Sequence, residues 1–508
     1  MTTSSPDSIL LHPGDNVEIA LGNLAKGARI SQSGVLLSAP VTRGHKIAIR
    51  PIAAGDPVLR YGQIIGAATT DIAPGDHVHT HNIGMSEHRQ DYDFAKDVAA
   101  LPAATEQKFF MGYPRSDGRF GTRNYIGVLT SVNCSGSVAR FMAEQAEKTS
   151  WFAELENVDG IVPIVHGSGC GMGRHDEGYD TLFRTLSGYA KHPNFGGILL
   201  VGLGCEAMQV EDLVGAEKLR HDGNFHYMTI QNSGGTRQTV ERGVDILRDL
   251  ALRANTVKRV RVPASELVVG LQCGGSDGYS GITANPALGY ASDLLVRQGG
   301  TTILSETPEI YGAEHLLTRR AISVEVGQKL VDRINWWENY TSVRGGEMNN
   351  NPSPGNKRGG LTTILEKSLG AVAKGGTAPL TDVYQFGQII DKKGFVFMDS
   401  PGYDPCSVTG QIASGATLIA FTTGRGSVSG YIPSPCIKLS TNMAMYENMH
   451  EDMDINCGDI ADGNVTIEDK GHEIFEMFLR VASGTESKSE ALGFGNAEFV
   501  PWQIGAVM

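Results

Sequence analysis

Between residues 109 and 258 short apolar runs alternate with longer stretches in which apolar side chains return every three or four positions. The runs at 125–132, 160–165 and 197–201 read as buried strands, and SVARFMAEQAEK reads as a helix. Strands without a polar face, each followed by an amphipathic helix, are the pattern of parallel βαβ units. Near VKRVRVPASE (257–266) the pattern restarts with LVVGLQ. It continues through TTILSE, ATLIAFTTG and the helical HEIFEMFLRVASG. Ahead of both lie short β-like runs parted by Gly and Pro, namely NVEIAL, GVLLSA, HKIAIR, PVLRYGQIIGAA and DHVHTHN. The expected fold class is therefore α/β. A small β-rich domain occupies 1–85, a polar linker 86–107, and two α/β domains with mainly parallel sheets 108–258 and 259–508.

Composition narrows this reading. At 508 residues the chain exceeds the roughly 250–300 residues of a single core, so several domains are expected. No 20–50-residue repeat is present to suggest a solenoid or propeller. A net charge of -13 and the lack of a long Lys/Arg block argue against a nucleic-acid partner. Apolar stretches such as GGILLVGLG fall far short of the ~20 residues of a membrane span. MTTSSPDS carries no basic segment followed by an apolar one, so a cytoplasmic location is expected, where cysteines serve as thiols or ligands rather than disulfides. The 64 glycines cluster in loops, where a backbone can approach a ligand closely.

Four of the seven cysteines end apolar runs: Cys134 after IGVLTSVN, Cys170 after GIVPIVHGSG, Cys205 after GILLVGLG and Cys273 after LVVGLQ. Carboxyl ends of parallel strands point at one crevice, so these thiols are expected to converge on iron. Free Cys is also an ordinary small core residue, but four Gly/Ser-flanked instances favour a site. His77, His79 and His81 alternate along DHVHTHN, with imidazoles about 6–7 Å apart on one strand face; a shared metal, a substrate contact and a solvated edge are all open. His45 or Lys46 in RGHK would serve as general base if the small domain, which also carries Tyr61, closes over the crevice as a lid.

Gly-rich turns supply the remaining polar groups. CGGSDG (273–278) offers Ser276 and Asp277 with backbone N–H groups for an anion. NPSPGNKRGG (351–360) projects Asn356 and Lys357 from a rigid loop suited to a polyhydroxylated acid. TTGRG (422–426) places Thr423 and Arg425 after a strand, and Arg grips a carboxylate through two parallel hydrogen bonds. Glu306, Glu309, Asp452 and Asp454 offer carboxylates that would bind a cation, orient a base or face solvent. No G-x-x-x-x-G-K-[ST] phosphate loop, G-x-S-x-G elbow or H-E-x-x-H is expected to serve here, and the G-x-G at 202–204 opens no dinucleotide fingerprint.

The motifs DGRFGTRNY (117–125), HGSGCG (166–171), GLGCE (202–206), CGGSDGYSGITANP (273–286), SETPEIYGAEHLL (305–317), NPSPGNK (351–357) and FTTGRG (421–426), with RGHK and RYGQIIG near the start, strongly resemble the altronate/galactarate dehydratase family over nearly the whole chain. HVHTHN and ETPEIYGAEHLL follow the altronate branch. TSVNCSG and ELVVGLQCGGSD lean toward the galactarate branch, and a related branch eliminates sulfite from sulfolactate. The resemblance implies an N-terminal SAF-like domain and elimination of water from a sugar acid, altronate first, to give a 2-keto-3-deoxy acid. It also implies dependence on ferrous iron, as one Fe2+ or as a [4Fe–4S] cluster with an open iron. A homo-oligomer, a dimer, is expected. The expected site comprises His45, Lys46, His166 and Asp277 for proton transfer. His79, His81, Ser276, Glu306, Asn356, Lys357, Thr423 and Arg425 would contact substrate, and Cys134, Cys170, Cys205 and Cys273 would hold iron. A sugar-acid-binding protein without catalysis is the alternative from another class.

Overall fold

Residues 7–86, 92–174, 176–216, 223–505 and 507 are described by the structure, a computed structural model, so residues 87–91 of the expected linker lie outside it. Gly- and Pro-punctuated runs at the start make short antiparallel strands: β1 (Ser8–Ile9), β2 (Val17–Ala20), β3 (Lys46–Ala48), β4 (Pro57–Arg60), β5 (Gln63–Ala68), β6 (His77–Val78) and β7 (Ile83–Gly84). They pair in the orders β1–β2–β3–β6 and β4–β5–β7. Next, β8 (Phe109–Pro114) and β9 (Phe120–Gly121) precede the second domain.

The buried runs of that domain become β10 (Tyr125–Thr130), β11 (Ile161–Ile164), β12 (Phe195–Gly202) and β13 (Phe225–Thr229), a parallel sheet in the order β11–β10–β12–β13. Helices Gly136–Glu147 and Thr236–Asn255 pack together against it. The restart near 257 is β14 (Val260–Pro263), which runs antiparallel to β8, so entry to and exit from this domain share one small sheet.

The C-terminal half forms one parallel sheet of β15 (Val268–Cys273), β16 (Thr301–Leu304), β17 (Leu380–Tyr384), β18 (Gly394–Met398), β19 (Leu418–Thr423), β20 (Cys436–Ser440) and β21 (Ile455–Asn456). Its order is β17–β18–β16–β15–β19–β20–β21. Strands β15, β16, β18 and β19 are buried almost throughout, which is why they read as unbroken apolar runs. Helix Glu177–Ala190 of the second domain packs on helix Asp404–Ala413, and Gly188 permits it: a Cβ there would lie 2.1 Å from the Ala413 carbonyl oxygen. Among the described residues no helix is long and apolar enough to cross a membrane.

The chain leaves β15 for β16 on one side, while β19 pairs on the other. That reversal is a topological switch point, and in open α/β sheets ligands bind in the crevice it leaves at the carboxyl ends. The loops opening there are CGGSDG and TTGRG.

Candidate active site

Those two loops are locked together by Asp277. Its carboxylate accepts from the Tyr279 N–H at 3.1 Å, Ser280 Oγ at 3.1 Å, Thr441 Oγ1 at 3.0 Å and Asn442 Nδ2 at 3.1 Å. Gly424 and Arg425 N–H both donate to the Gly275 carbonyl. A Cβ on Gly424 would meet the Asp277 carboxyl carbon at 2.2 Å, so only glycine allows the approach. Burial pushes the Asp277 carboxyl up and these donors oppose it. With its acceptor sites occupied, Asp277 fixes the crevice rather than removing protons, contrary to the sequence reading.

Asn356 and Thr423 are corrected likewise. Asn356 caps the short helix Pro354–Arg358, accepting from the Ser353 N–H, and donates to the Ser276 carbonyl at 2.8 Å; both side-chain ends are spent on holding loops. Thr423 is buried, and its Oγ1 accepts from the Gly426 N–H. Gly274–Gly278 does spell G-x-S-x-G, a pattern the sequence reading set aside as absent. Ser276 lacks the strained positive φ expected of a nucleophile elbow, and its hydroxyl has no histidine partner among the described residues. What remains is cationic. Arg425 is exposed, Lys357 is half-buried, and neither side chain has a hydrogen-bonding partner among the described residues. Gly359 joins the loops, since a Cβ there would lie 2.9 Å from Asp277 Cβ and 3.3 Å from Arg425 Cδ.

Beneath the crevice lies a buried polar cluster. Cys273 Sγ, at the end of β15, is 2.7 Å from Lys374 Nζ and 3.5 Å from Glu309 Oε2. Lys374 also reaches Glu306 Oε2 at 3.4 Å, and Lys367 pairs with Glu309 at 2.7 Å. Cys273, Glu306 and Glu309 place ligand atoms within 4.8 Å of one another, but the Lys374 ammonium is seated against two of the three and competes with any cation. Burial pushes the Cys273 thiol up to about 12 despite Lys374. Cys273 ends a strand of the C-terminal sheet, whereas Cys134, Cys170 and Cys205 follow strands of the second domain's sheet. Glu306 is also buried, not open to substrate as expected; it sits at φ 70° with Oε1 unpartnered among the described residues, and burial and the Glu309 charge raise its pKa well above the usual carboxylate range. Asp404 Oδ2 would lie 2.1 Å from a Cβ on Gly274, and burial with the Glu309 charge raises Asp404 to about 7. Sequence reasoning missed Lys367, Lys374 and Asp404. The signal available was two lysines inside the otherwise apolar TTILEKSLGAVAKGG.

The N-terminal domain is seated, not hinged, on this core. Lys46 Nζ, fully buried, donates to both Glu366 carboxylate oxygens at 2.9 and 2.8 Å and to the Gly360 carbonyl at 2.7 Å. Arg60 pairs with the same carboxylate and donates to the Gly278 carbonyl at 2.7 Å. Burial alone would push the Glu366 carboxyl up, but the Lys46 and Arg60 charges and bonds from Lys46 and Thr362 hold it near 2. Burial lowers Lys46 more than Glu366 restores it. Its ammonium is engaged by the Glu366 carboxylate and the Gly360 carbonyl, which ties the N-terminal domain to the core.

Beside it His45, His77 and His79 bring one ligand nitrogen each within 4.8 Å of the others. The expected straight row is not formed: the strand covers only His77–Val78, and the chain then turns, the Asn82 N–H bonding back to the His79 carbonyl. His81 is exposed, its ring 5.4 Å from that of His77. His166 is buried in the second domain; one ring nitrogen meets the Thr130 carbonyl at 3.0 Å and the other accepts from the Ser168 N–H, while burial lowers it to about 4. These bonds pin two loops of the second domain. Cys134, Cys170 and Cys205 are exposed just past the ends of the neighbouring strands β10, β11 and β12. The three thiols do not lie within 4.8 Å of one another as a group.

Family models agree with this architecture. One for the altronate/galactarate dehydratase SAF domain matches residues 6–86, one for the second domain of D-galactarate dehydratase/altronate hydrolase matches 112–255, and one for the C-terminal domain of D-galactarate/altronate dehydratase matches 264–507. The chain belongs to the altronate/galactarate dehydratase family. It is similar to an altronate dehydratase of Bacillus subtilis (strain 168), 36% identical over 94% of this chain and 95% of that protein. A galactarate dehydratase (L-threo-forming) of Escherichia coli (strain K12) is 38% identical over 94% and 92%. The beta subunit of a (2R)-sulfolactate sulfo-lyase of Chromohalobacter salexigens is 31% identical over 77% of this chain. Family membership makes this chain a hydro-lyase acting on a small molecule, in keeping with a crevice lined by cations and hydroxyls.

Proposed function

We propose that this member of the altronate/galactarate dehydratase family eliminates water from a six-carbon sugar acid, D-altronate first and galactarate as the alternative, giving a 2-keto-3-deoxy acid. The observation that carries the reading is the pair of unpartnered cations, Arg425 and Lys357, on adjoining loops at the switch-point crevice. Their chemistry suits a carboxylate flanked by hydroxyls. Transfer of the C2 proton to a base in the crevice, from which it passes to solvent, builds an enediolate beside that carboxylate, and fixed cations favour the developing charge over the ground state. The C3 hydroxyl must leave as water and needs a proton. We assign that proton to Asp404, which lies against Gly274 and whose carboxyl burial and the Glu309 charge raise to about 7.

Iron dependence is part of the same proposal and falls to Cys134, Cys170 and Cys205. Thiolates are soft ligands that select iron, and ligands of different irons in a cluster stand farther apart than ligands of one ion. Iron bound there supplies a Lewis acid for substrate oxygens. Serine at any of the three is expected to lower iron content, measured by metal analysis after anaerobic reconstitution, whereas Cys273→Ser retains it. Full iron content in all three variants would contradict the assignment.

Kinetics test the crevice. Arg425→Ala and Lys357→Ala are each expected to lower kcat/KM for the sugar acid by tenfold or more, because a charge-assisted hydrogen bond contributes about 1.5–3 kcal/mol. Unchanged kinetics in both variants would move the substrate elsewhere.

A further inference from the structure

We propose that His45, His77 and His79 form a three-histidine site for one divalent first-row transition-metal ion, at the seam between the N-terminal domain and the 356–360 loop. The site is separate from the strand-end thiols and does not rest on them.

Two ring nitrogens already face each other: His45 Nδ1 lies 2.9 Å from His77 Nε2. Nitrogens bound about 2.1 Å from a common ion at a right angle stand roughly 3 Å apart, so this separation suits neighbouring ligands of one metal. The third ring completes a triangle, with centroids 4.8 Å from His45 and 5.4 Å from His77, and His79 Nδ1 is buried with no partner among the described residues. A buried imidazole nitrogen without a partner is costly unless something binds it.

The surrounding bonds orient the rings as ligands. His45 Nε2 lies 3.2 Å from the Arg358 carbonyl, which accepts its proton and leaves the Nδ1 lone pair aimed into the triangle. A metal-bound histidine ordinarily gives its other N–H to such a carbonyl. Asn82 fixes the other two: its Oδ1 accepts from the His79 N–H at 2.9 Å and its Nδ2 donates to the His77 carbonyl at 3.0 Å. Lys46 is adjacent, but Glu366 neutralises it. Three imidazoles without a carboxylate suit Fe2+, Co2+ or Zn2+ rather than Mg2+ or Ca2+, and three protein ligands leave positions open.

Cobalt tests the site without recourse to activity. Metal-free full-length protein carrying Cys134→Ser, Cys170→Ser and Cys205→Ser together is titrated with Co2+ under argon. The expected result is one ion per chain, with visible ligand-field absorption and no sulfur-to-cobalt charge transfer. His77→Ala and His79→Ala in that background should each weaken binding by more than about 100-fold, since losing even a supporting partner of a metal ligand costs 10–100-fold. His81→Ala should bind as the background does. Metal-free thermal midpoints, alike among the variants, exclude misfolding as the cause; if one variant is unfolded, the other decides. Absence of cobalt uptake, a charge-transfer band, or binding unaffected by both histidine variants would overturn the site.

Discussion

Replacing Glu366 with Ala is expected to destabilise the protein by about 3–5 kcal/mol and to release the N-terminal domain from the core. Glu366 is buried between Lys46 and Arg60, and removing the shared carboxylate strands two buried cations, which is the expensive way to break a buried ion pair. The pH dependence gives an independent figure. The folded carboxyl titrates near 2 instead of 4.5, so its stabilisation is fully present above 4.5 and is lost as pH falls through about 2. A depression of this size is worth about 3 kcal/mol. Denaturant unfolding of wild type should therefore weaken through this window, and the Ala variant should lack that part of the decline. Proteolysis should also cut the variant between the N-terminal domain and the core. Wild-type stability and resistance in the variant would mean that the domain is held by other contacts.

The second large effect is catalytic. Asp404→Asn keeps shape and removes a proton donor, and general acids contribute about 10²–10⁴ in rate. A fall of that order in kcat is expected, with little change in KM because the anion is held by Arg425 and Lys357. Asp404 must be protonated to act, so with its pKa near 7 the wild-type rate should fall as pH rises through neutrality. The Asn variant should lose that limb. An unaltered limb would assign the titration, and the acid, to another group.

Much of this was legible in the sequence because burial on both faces leaves parallel strands without polar positions. The runs ending at Cys134, Cys205 and Cys273 do precede turns at strand ends. The four cysteines do not follow strands of one sheet. Pairing of β14 with β8 closes the second domain before β15 begins, which puts Cys273 in a different sheet. Lys46 and Glu366 lie 320 positions apart, and no local pattern reveals such a partner; a lysine beside a short apolar strand reads the same whether it titrates in a site or docks a domain. The histidines were visible as an alternation, but a turn at 79–82 and the arrival of His45 from β3's leading edge bring them together, and both are tertiary events. Arg425 was visible in a Gly-rich turn after a strand, and Lys357 in a Pro- and Gly-punctuated segment that folds as the short helix Pro354–Arg358.

The most direct test is turnover by full-length protein prepared anaerobically and loaded with Fe2+, given D-altronate and galactarate in parallel. Formation of a 2-keto-3-deoxy acid from one of them, abolished or reduced at least tenfold by Arg425→Ala, is the result predicted; folded, iron-loaded protein that converts neither acid would contradict it.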